Sequence, residues 1–315
     1  MNHLGLLFAG QGAQSPSMGQ SFLKHPVFSA SLSSIQRLLG YDVMQLIASN
    51  DGRLNQTLYT QPSIFVISSL LWKVINETLH PRVEGTVGFS LGEYAALGAS
   101  EIFSFESLLR LIQIRATAMH AASTQNPGKM AAILGLETSV VLDLCQQASQ
   151  GVEIVTLANL NCPGQVVISG HGPAVERAVP LATAKGARRA VMLNVSGAFH
   201  SPLMMSAQQK LNEALTKEPL QTLKTKIYLN VDALPADLNH VKKKMVEQLV
   251  SPVRFELSIR HMIRDGFTHF LEIGPGTVLQ GLVKKIAPEI PVISFNELSE
   301  FELVKGWLLQ YGFIQ

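Results

Sequence analysis

Gly88-Phe89-Ser90-Leu91-Gly92 is the stretch of this sequence that decides its fold, because it joins a strand-like segment to a helix-like one. Residues 83–87 before it contain valine and threonine, which favour a strand, and residues 93–99 after it are rich in small side chains, which favour a closely packed helix. A serine between two glycines at such a turn is typical of a nucleophile elbow. The glycines allow a tight turn, and N–H groups at the helix N-terminus suit an oxyanion. The pattern favours a catalytic Ser90 over a turn that only caps a helix.

The composition indicates a globular protein with a large buried core. Of the 315 residues, 47% are hydrophobic and 15% are charged, so one large domain or two unequal ones can form. The formal net charge of +2 is too balanced for a general nucleic-acid or membrane-surface binder. Cys145 and Cys162 are the two cysteines, too few for a disulfide framework or a metal cluster, which indicates a reducing compartment.

Two apolar stretches could be targeting or membrane segments, and neither fits that role. Residues 1–8 lack the basic region of a signal peptide. Residues 63–75 are interrupted by serines and Lys73, and they are shorter than the about 20 residues that span a bilayer. The sequence therefore predicts a soluble cytoplasmic protein, and we expect a monomer.

Strand-like and helix-like segments alternate along the chain, which is typical of an α/β fold with a mainly parallel sheet. Residues 4–8 are predicted to form a strand that ends in the loop Gly10-Gln11-Gly12. Residues 62–75 are predicted to form a buried helix that leads to the Ser90 turn. Residues 268–273 form another predicted strand, which a glycine loop joins to a helix over residues 277–286.

The middle of the chain follows a different pattern. Its predicted elements are strand 129–134, helix 138–149, strands 152–157 and 165–169, helix 173–185 and strand 188–193. This βαββαβ order is that of a ferredoxin-like unit. The sequence therefore predicts a small subdomain over residues 126–195, inserted into a large domain formed by residues 1–125 and 196–315. A ligand site is expected in the cleft between them.

Ser90 needs a base, because a serine hydroxyl is a weak nucleophile. Among nine histidines, His200 is the candidate, since it lies where the chain re-enters the large domain; the alternative is a purely structural histidine. Gln11 follows the first strand, at the sheet edge where α/β ligand sites gather. Its backbone N–H would complete an oxyanion hole with that of Leu91, unless this loop is a plain turn.

Arg115 is an independent candidate, because it falls on the apolar face of a helix predicted over residues 107–122. The apolar residues of that face are Leu108, Leu111, Ile112 and Met119. Arg110 falls on the opposite face. A buried arginine needs an anionic partner. Two partners stay open: an internal carboxylate in a salt bridge, or a substrate carboxylate held in a bidentate clamp.

Nucleotide and metal sites find no support in the sequence. The loop Gly10-Gln11-Gly12 is not followed by the remaining glycine of a dinucleotide fingerprint, and no glycine loop precedes the lysine and hydroxyl residue of a phosphate-binding loop. No histidine or cysteine spacing is typical of zinc. We therefore expect no metal.

Taken together, these residues resemble the malonyl-CoA:acyl-carrier-protein transacylases of fatty acid synthesis, nearly from end to end. The segments that carry the resemblance are Phe8-Ala9-Gly10-Gln11-Gly12-Ala13-Gln14, Thr60-Gln61-Pro62, Gly88-Phe89-Ser90-Leu91-Gly92-Glu93-Tyr94, Arg115, Asn161-Cys162-Pro163-Gly164-Gln165-Val166-Val167-Ile168-Ser169-Gly170, Gly197-Ala198-Phe199-His200-Ser201 and Glu272-Ile273-Gly274-Pro275-Gly276. Acyltransferase domains of polyketide synthases and acyltransferase subunits of malonate decarboxylase share this fold. The resemblance implies an α/β-hydrolase-like large domain with an inserted ferredoxin-like subdomain, in agreement with the prediction above.

The resemblance also implies catalytic roles at the matching positions. Ser90 would carry the acyl group and His200 would be its base, in a dyad without a carboxylate. The backbone carbonyl of Gln248 would orient the imidazole, a role that does not depend on its side chain. The backbone N–H groups of Gln11 and Leu91 would hold the oxyanion.

Three further residues are implied in substrate recognition. Arg115 would grip the malonyl carboxylate. Phe199 resembles the aromatic residue of malonyl-selective members and would restrict room for a 2-methyl branch, although a core phenylalanine is an equal alternative. Phe89 stands where many members carry histidine, and Ala9 where many carry proline. Of these two departures from the family pattern, Phe89 adjoins the nucleophile.

The implied reaction is a ping-pong transfer of a malonyl group from malonyl-CoA to the phosphopantetheine thiol of an acyl carrier protein, without a cofactor. Carrier proteins are usually acidic, so a basic rim is expected. The candidates are Arg188, Arg189, Lys284 and Lys285, unless they are only solvated charges. Three other functions stay open: a serine hydrolase or thioesterase, a non-enzymatic carrier-docking protein, and an acyltransferase of a polyketide or malonate decarboxylase system.

Overall fold

The computed structural model describes all 315 residues, which form two β-sheets surrounded by helices. The strands are β1 (Leu4–Phe8), β2 (Gly85–Gly88), β3 (Gly128–Leu134), β4 (Val155–Cys162), β5 (Gln165–His171), β6 (Arg189–Met192), β7 (Lys226–Tyr228), β8 (His269–Ile273) and β9 (Val292–Phe295). The α-helices are α1 (Pro26–Leu39), α2 (Val43–Ala48), α3 (Thr57–Leu79), α4 (Gly92–Ala99), α5 (Phe105–Gln125), α6 (Thr138–Ala148), α7 (Gly172–Ala184), α8 (Met205–Leu215), α9 (Val241–Glu247), α10 (Phe255–Arg264), α11 (Val278–Ile286) and α12 (Phe301–Gln310).

The larger sheet has five parallel strands in the order β7-β2-β1-β8-β9. Its central strand, β1, is buried along its whole length. Leu6 and Phe8 belong to one hydrophobic core and Leu7 to another, because successive side chains of a strand point to opposite faces. Both faces are therefore covered, as parallel sheets require. The predicted α/β class with a parallel sheet core is confirmed.

The smaller sheet is antiparallel, with the strand order β4-β5-β3-β6. α6 and α7 pack against it around a separate hydrophobic core. The chain order through this unit is the predicted βαββαβ, and its strands run from Gly128 to Met192. We propose residues 126–195 as the limits of the subdomain, since this separate core supports the division.

Two elements differ from their predicted limits. The strand predicted over residues 152–157 is shifted to Val155–Cys162. Its predicted start lies in a turn closed by hydrogen bonds between Gln150 and Glu153, while its pairing with β5 continues through two irregular positions to the Pro163-Gly164 turn. The helix predicted over residues 62–75 is α3, which starts at Thr57. Its first turns are polar but buried, since Gln61 Nε2 donates to Thr57 Oγ1 at 2.8 Å. An apolar pattern does not detect such a start.

The length of α3 contradicts the expectation that the apolar segment around residues 63–75 is too short to span a bilayer. With 23 residues it is long and apolar enough to cross a bilayer by length and composition alone. However, 72% of its most apolar window is buried inside the fold, where it packs against α4 and α5. α3 is therefore a core helix of this fold, and its burial, rather than its length, decides this.

The glycines around Ser90 are required by the close approach of α4 to the sheet. A Cβ on Gly88 would lie 2.0 Å from the carbonyl carbon of Gly92, and a Cβ on Gly92 would lie 2.1 Å from the carbonyl oxygen of Phe8. Neither contact can relax by a side-chain movement, because the opposing atoms belong to the backbone. This packing places the turn at the carboxyl edge of the parallel sheet, where ligand sites of α/β folds form.

Candidate active site

Ser90 and His200 are in hydrogen-bond contact. Ser90 Oγ lies 2.7 Å from His200 Nε2, and His200 Nδ1 lies 2.9 Å from the backbone carbonyl oxygen of Gln248. A carbonyl oxygen only accepts hydrogen bonds, so Nδ1 carries the proton and Nε2 is left to accept the proton of Ser90. The imidazole is thus oriented as a general base for the serine hydroxyl.

Burial keeps the imidazole of His200 neutral. The residue is 3% exposed. Desolvation, the larger cause, and the positive charge of Arg115 together lower the pKa of His200 to about 4. The unprotonated form therefore predominates at neutral pH. Since the partner of Nδ1 is a backbone carbonyl, the arrangement is a dyad and not a triad with an acid.

Both members of the dyad have left-handed backbone conformations. The φ angle is 55° at Ser90 and 59° at His200. Residues with a side chain rarely adopt this region, and they keep it only where the surrounding structure holds them. At Ser90 the conformation belongs to the sharp turn between β2 and α4, which brings Oγ to His200.

Two backbone N–H groups beside Ser90 are free to bind an anion. Gln11 and Leu91 both line the cavity next to Ser90, and their N–H groups donate to no acceptor in the protein. Leu91 directly precedes α4, where the helix dipole favours negative charge. The Gln11 side chain accepts a hydrogen bond from Thr57 Oγ1 at 3.1 Å, which ties its loop to α3. This geometry suits the stabilisation of an oxyanion.

Arg115 is a buried cation without a carboxylate partner. Its side chain is 1% exposed, and no salt bridge within 4.0 Å involves it. Nη2 donates to Gln248 Oε1 at 2.9 Å and to Ser90 Oγ at 3.2 Å, and Nη1 donates to Gln61 Oε1. Burial lowers the pKa of Arg115. The internal salt bridge that the sequence left open is absent, so the guanidinium beside the cavity has no direct carboxylate partner and can bind an anionic ligand.

The cavity at Ser90 has a volume of about 110 Å³. The residues that line it are Gln11, Gln61, Phe89, Ser90, Leu91, Arg115, Met119, Met130, Asn159, Leu193, Val195, Phe199 and His200. Seven of the candidates from the sequence thus meet around one space, and Gln248 lies directly behind it. Phe89 packs against Phe255, with ring centroids 5.5 Å apart, and Phe199 is almost fully buried.

The family model of the acyl transferase domain matches residues 6–299 of this chain. The chain belongs to the acyl transferase family. A serine activated by histidine beside free N–H groups is the machinery that acyl transfer requires.

This acyl transferase is similar to named relatives along its whole length. It is 36% identical to a malonyl CoA-acyl carrier protein transacylase of Staphylococcus aureus over 310 residues. These aligned residues cover 98% of this chain and 99% of the relative. The crystal structure of MCAT from Streptococcus pneumoniae matches with a TM-score of 0.91 and 36% identity, over 96% of this chain and 99% of that one. A malonyl-transacylase solved in complex with a type II PKS acyl-carrier protein matches with a TM-score of 0.93 and 32% identity, over 97% and 99%.

The four basic residues predicted as carrier contacts lie outside the cavity of the acyl transferase. All are exposed: Arg188, Arg189, Lys284 and Lys285. Lys285 Nζ donates to Gln165 Oε1 at 3.3 Å, at the start of β5. Arg188 lies beside Gly135, whose N–H donates to the carbonyl oxygen of Gly164. Lys285 and Arg188 therefore lie close to the β4–β5 turn.

Sequence reasoning missed two side chains that hold the arginine of this acyl transferase. Gln61 carries part of the family resemblance, but no role was predicted for its contact with Arg115. Gln248 acts through its side chain as well as its backbone, because Oε1 accepts from Arg115 and Nε2 donates to the Ser90 carbonyl oxygen at 3.0 Å. No local signal could reveal these contacts, since they join residues 54 to 158 positions apart.

Proposed function

We propose that this acyl transferase moves a malonyl group from malonyl-CoA to the phosphopantetheine thiol of an acyl carrier protein, for fatty acid synthesis. The observation that carries the proposal is that the buried Arg115 cation has no carboxylate in direct contact, while its Nη2 lies only 3.2 Å from Ser90 Oγ. A malonyl group on Ser90 has a free carboxylate within reach of that guanidinium. The full-length relatives named as malonyl CoA-acyl carrier protein transacylases support the same substrates.

The first half-reaction forms an ester on Ser90. His200 Nε2 takes the proton of the hydroxyl as Oγ attacks the thioester carbon of malonyl-CoA. The backbone N–H groups of Gln11 and Leu91 stabilise the oxyanion of the tetrahedral intermediate. The carbon–sulfur bond then breaks, and the imidazolium returns its proton to the sulfur of the leaving CoA.

The second half-reaction reverses these steps with a different thiol. His200 takes the proton of the phosphopantetheine thiol, whose sulfur attacks the Ser90 ester. The same N–H groups hold the second oxyanion, and Ser90 leaves with the proton from the imidazolium. Protons and charges balance with the dyad and the two thiols alone, so we propose no resident metal or cofactor.

Arg115 and two aromatic side chains would set the choice of acyl group. An acetyl group lacks the carboxylate and would leave the buried guanidinium without an anion. Malonyl-CoA would therefore be favoured over acetyl-CoA by a few kcal/mol. Phe199 and Phe89 line the same small cavity, so they would limit the space for a branch beside the thioester carbonyl.

An acidic carrier protein would dock against the exposed basic side chains beside the β4–β5 turn. The complex of a structural neighbour with its acyl-carrier protein supports a protein partner of this kind. That neighbour serves a polyketide carrier, so a polyketide pathway is the second candidate. Comparing kcat/KM for a fatty acid carrier with that for a polyketide carrier decides between them. We propose that the enzyme works in the cytoplasm as a monomer.

The test is intact-protein mass spectrometry after mixing with malonyl-CoA or acetyl-CoA. We expect a malonyl adduct on the native chain, no adduct on Ser90→Ala, and a shift from malonyl towards acetyl on Arg115→Ala. Arg110→Ala is the matched control, because Arg110 is exposed on the opposite face of α5 and pairs with Glu218. The malonyl ester should persist until a carrier thiol is added.

Two outcomes would contradict this function. Rapid loss of the ester to water without any acceptor thiol would favour a thioesterase. A native chain that neither forms an adduct nor hydrolyses the thioester would favour a docking protein without catalysis.

A further inference from the structure

Asn230 continues the pairing of β7 with β2 through its side chain. The two strands pair in parallel as far as Val87 and Tyr228, and the backbones then diverge. Beyond that point Asn230 Oδ1 accepts from the Ser90 N–H at 2.8 Å, and Asn230 Nδ2 donates to the Gly88 carbonyl oxygen at 2.7 Å. The side-chain amide of Asn230 therefore makes the two hydrogen bonds that a backbone peptide of β7 would make, one to Gly88 and one to Ser90, the residues on either side of Phe89.

Asn230 is itself held in place from three directions. It is fully buried. Its backbone N–H donates to Glu93 Oε2 at 2.6 Å, and its carbonyl oxygen accepts from the Arg254 N–H at 3.1 Å. Gln248 Nε2 lies 3.4 Å from Asn230 Oδ1 and donates to the Ser90 carbonyl oxygen. The side chain therefore has one orientation in which its acceptor and its donor both find partners.

These contacts act on the most constrained residue of the site. Ser90 is held at a φ of 55°, a region that a serine leaves unless its surroundings oppose the change. Rotation of Ser90 towards the right-handed region would break its N–H bond to Asn230. It would also move Oγ away from His200 and re-aim the N–H of Leu91. The geometry of nucleophile and oxyanion hole thus depends on a side chain that does not line the cavity.

We propose that Asn230 is a positioning residue for acyl transfer, whose side-chain amide fixes the Gly88–Ser90 turn so that Oγ meets its base and the Leu91 N–H faces the reacting carbonyl. This inference rests on the proposed role of Ser90 as the acyl-carrying nucleophile. Asn230 does not line the cavity and acts through the backbone of Gly88 and Ser90.

The first test compares Asn230→Ala with Thr86→Val. Thr86 is as buried as Asn230 and lies on β2, the strand whose last residue, Gly88, Asn230 contacts. Its hydroxyl bonds Ser100 Oγ at 2.9 Å, at the end of α4 away from Ser90. Single-turnover acylation by malonyl-CoA is followed by rapid-quench mass spectrometry, and the Kd of malonyl-CoA is measured separately. Asn230→Ala should slow acylation about 10²-fold at an unchanged Kd, because small misplacements of reacting groups have effects of that size. Thr86→Val should lower the Tm without slowing acylation.

The second test uses Asn230→Asp, which has the same shape. A protonated carboxyl can donate to the Gly88 carbonyl oxygen and accept from the Ser90 N–H, as the amide does. An ionised carboxylate would face the Gly88 carbonyl oxygen with an acceptor. The acylation rate relative to the native chain should therefore fall as the pH rises, at least tenfold between about pH 5.5 and about pH 8.5.

The charged groups around this position also act on the native chain, so the ratio of the two rates isolates the substituted side chain. They are Glu93 on α4, Arg115 on α5, His200, Asp232 and Arg254. Dividing by the native rate at each pH removes the part of their titration that the two chains share, and Glu93, which accepts from the backbone N–H of residue 230, titrates together with the new carboxyl.

The outcomes separate this inference from the proposed function. An acylated native chain together with an Asn230→Ala variant that reacts within about twofold of the native rate would overturn the positioning role alone. A flat ratio of Asn230→Asp to native rates across the pH range would do the same, even if Asn230→Ala fails to fold. A native chain that takes no acyl group from either thioester would overturn the function of Ser90 and the inference with it.

Discussion

Arg115→Met should change the choice between malonyl-CoA and acetyl-CoA. Methionine keeps an unbranched chain on the inner face of α5 but removes the charge and the donors to Gln61, Gln248 and Ser90. The malonyl carboxylate would then be buried without a partner. Removing one partner of a buried ion pair costs about 3–5 kcal/mol. At about 1.4 kcal/mol for each factor of ten, kcat/KM for malonyl-CoA should fall about 10²–10⁴-fold.

The acetyl reaction supplies the internal reference for this prediction. Acetyl-CoA has no carboxylate, so its kcat/KM should change by less than about tenfold. Effects of the substitution on Ser90 or on the pKa of His200 act on both substrates and cancel in the ratio of the two values. The ratio of malonyl to acetyl kcat/KM therefore isolates the contact between Arg115 and the carboxylate.

The assay measures both kcat/KM values for the native chain, Arg115→Met and Arg110→Met. Arg110 is on the same helix, exposed, and pairs with Glu218 at 3.0 Å, so its loss removes a charge without touching the cavity. Its substitution should leave the ratio unchanged. If Arg115→Met slowed both substrates by the same factor, Arg115 would support the structure of the site and the carboxylate clamp would be refuted.

Three further predictions follow from the packing and charges of the site. The acylation rate should stay level from neutral pH to about one pH unit above the pKa of His200 and fall to half near pH 4, because burial lowers that pKa to about 4 and only the neutral imidazole accepts a proton. A decline centred near pH 6.5, the ordinary value, would contradict this. Gly92→Ala should lower the free energy of unfolding by more than about 3 kcal/mol in chemical denaturation, since its Cβ would meet the Phe8 carbonyl oxygen at 2.1 Å. Gly281→Ala in α11 has open space around it and should raise the free energy of unfolding by about 0.5–1 kcal/mol. Equal effects of the two substitutions would show that the close approach of Gly92 to β1 is unimportant. Lys285→Glu should raise KM for the carrier protein in steady-state assays and leave KM for malonyl-CoA unchanged, and an unchanged carrier KM would remove this side chain from the docking surface.

The α/β class and the ferredoxin-like unit could be predicted because their signals are local. Alternating apolar segments, glycine turns and the βαββαβ order are properties of neighbouring residues, and the predicted strand over residues 4–8 agrees with β1. The limits of α3 and β4 could not be predicted in the same way. Thr57 and Gln61 are polar, and they are buried only because they bond each other and the loop of Gln11.

The candidate site was predicted in part, for the same physical reason. Ser90 stands in a local pattern, and Arg115 is out of place on an apolar helix face, so both could be singled out from residue types alone. The residue types do not show that Arg115 donates to Gln61 and Gln248 and to no carboxylate, because both glutamines are far away along the chain. Asn230 had no signal at all, because its neighbours in the sequence take no part in its contacts with Gly88 and Ser90.

The sequence by itself determined the turn, the type of nucleophile and the order of the elements, because backbone propensity and glycine requirements act over a few residues. Only the tertiary structure decided three features: the tautomer of His200, the lack of a carboxylate in contact with Arg115, and the hydrogen bonds from Asn230 that hold the Gly88–Ser90 turn. These depend on groups brought together at the carboxyl edge of a parallel sheet, where loops from separate βα units converge. Desolvation at that edge, which no local pattern encodes, gives the histidine its low pKa and the arginine its need for an anion.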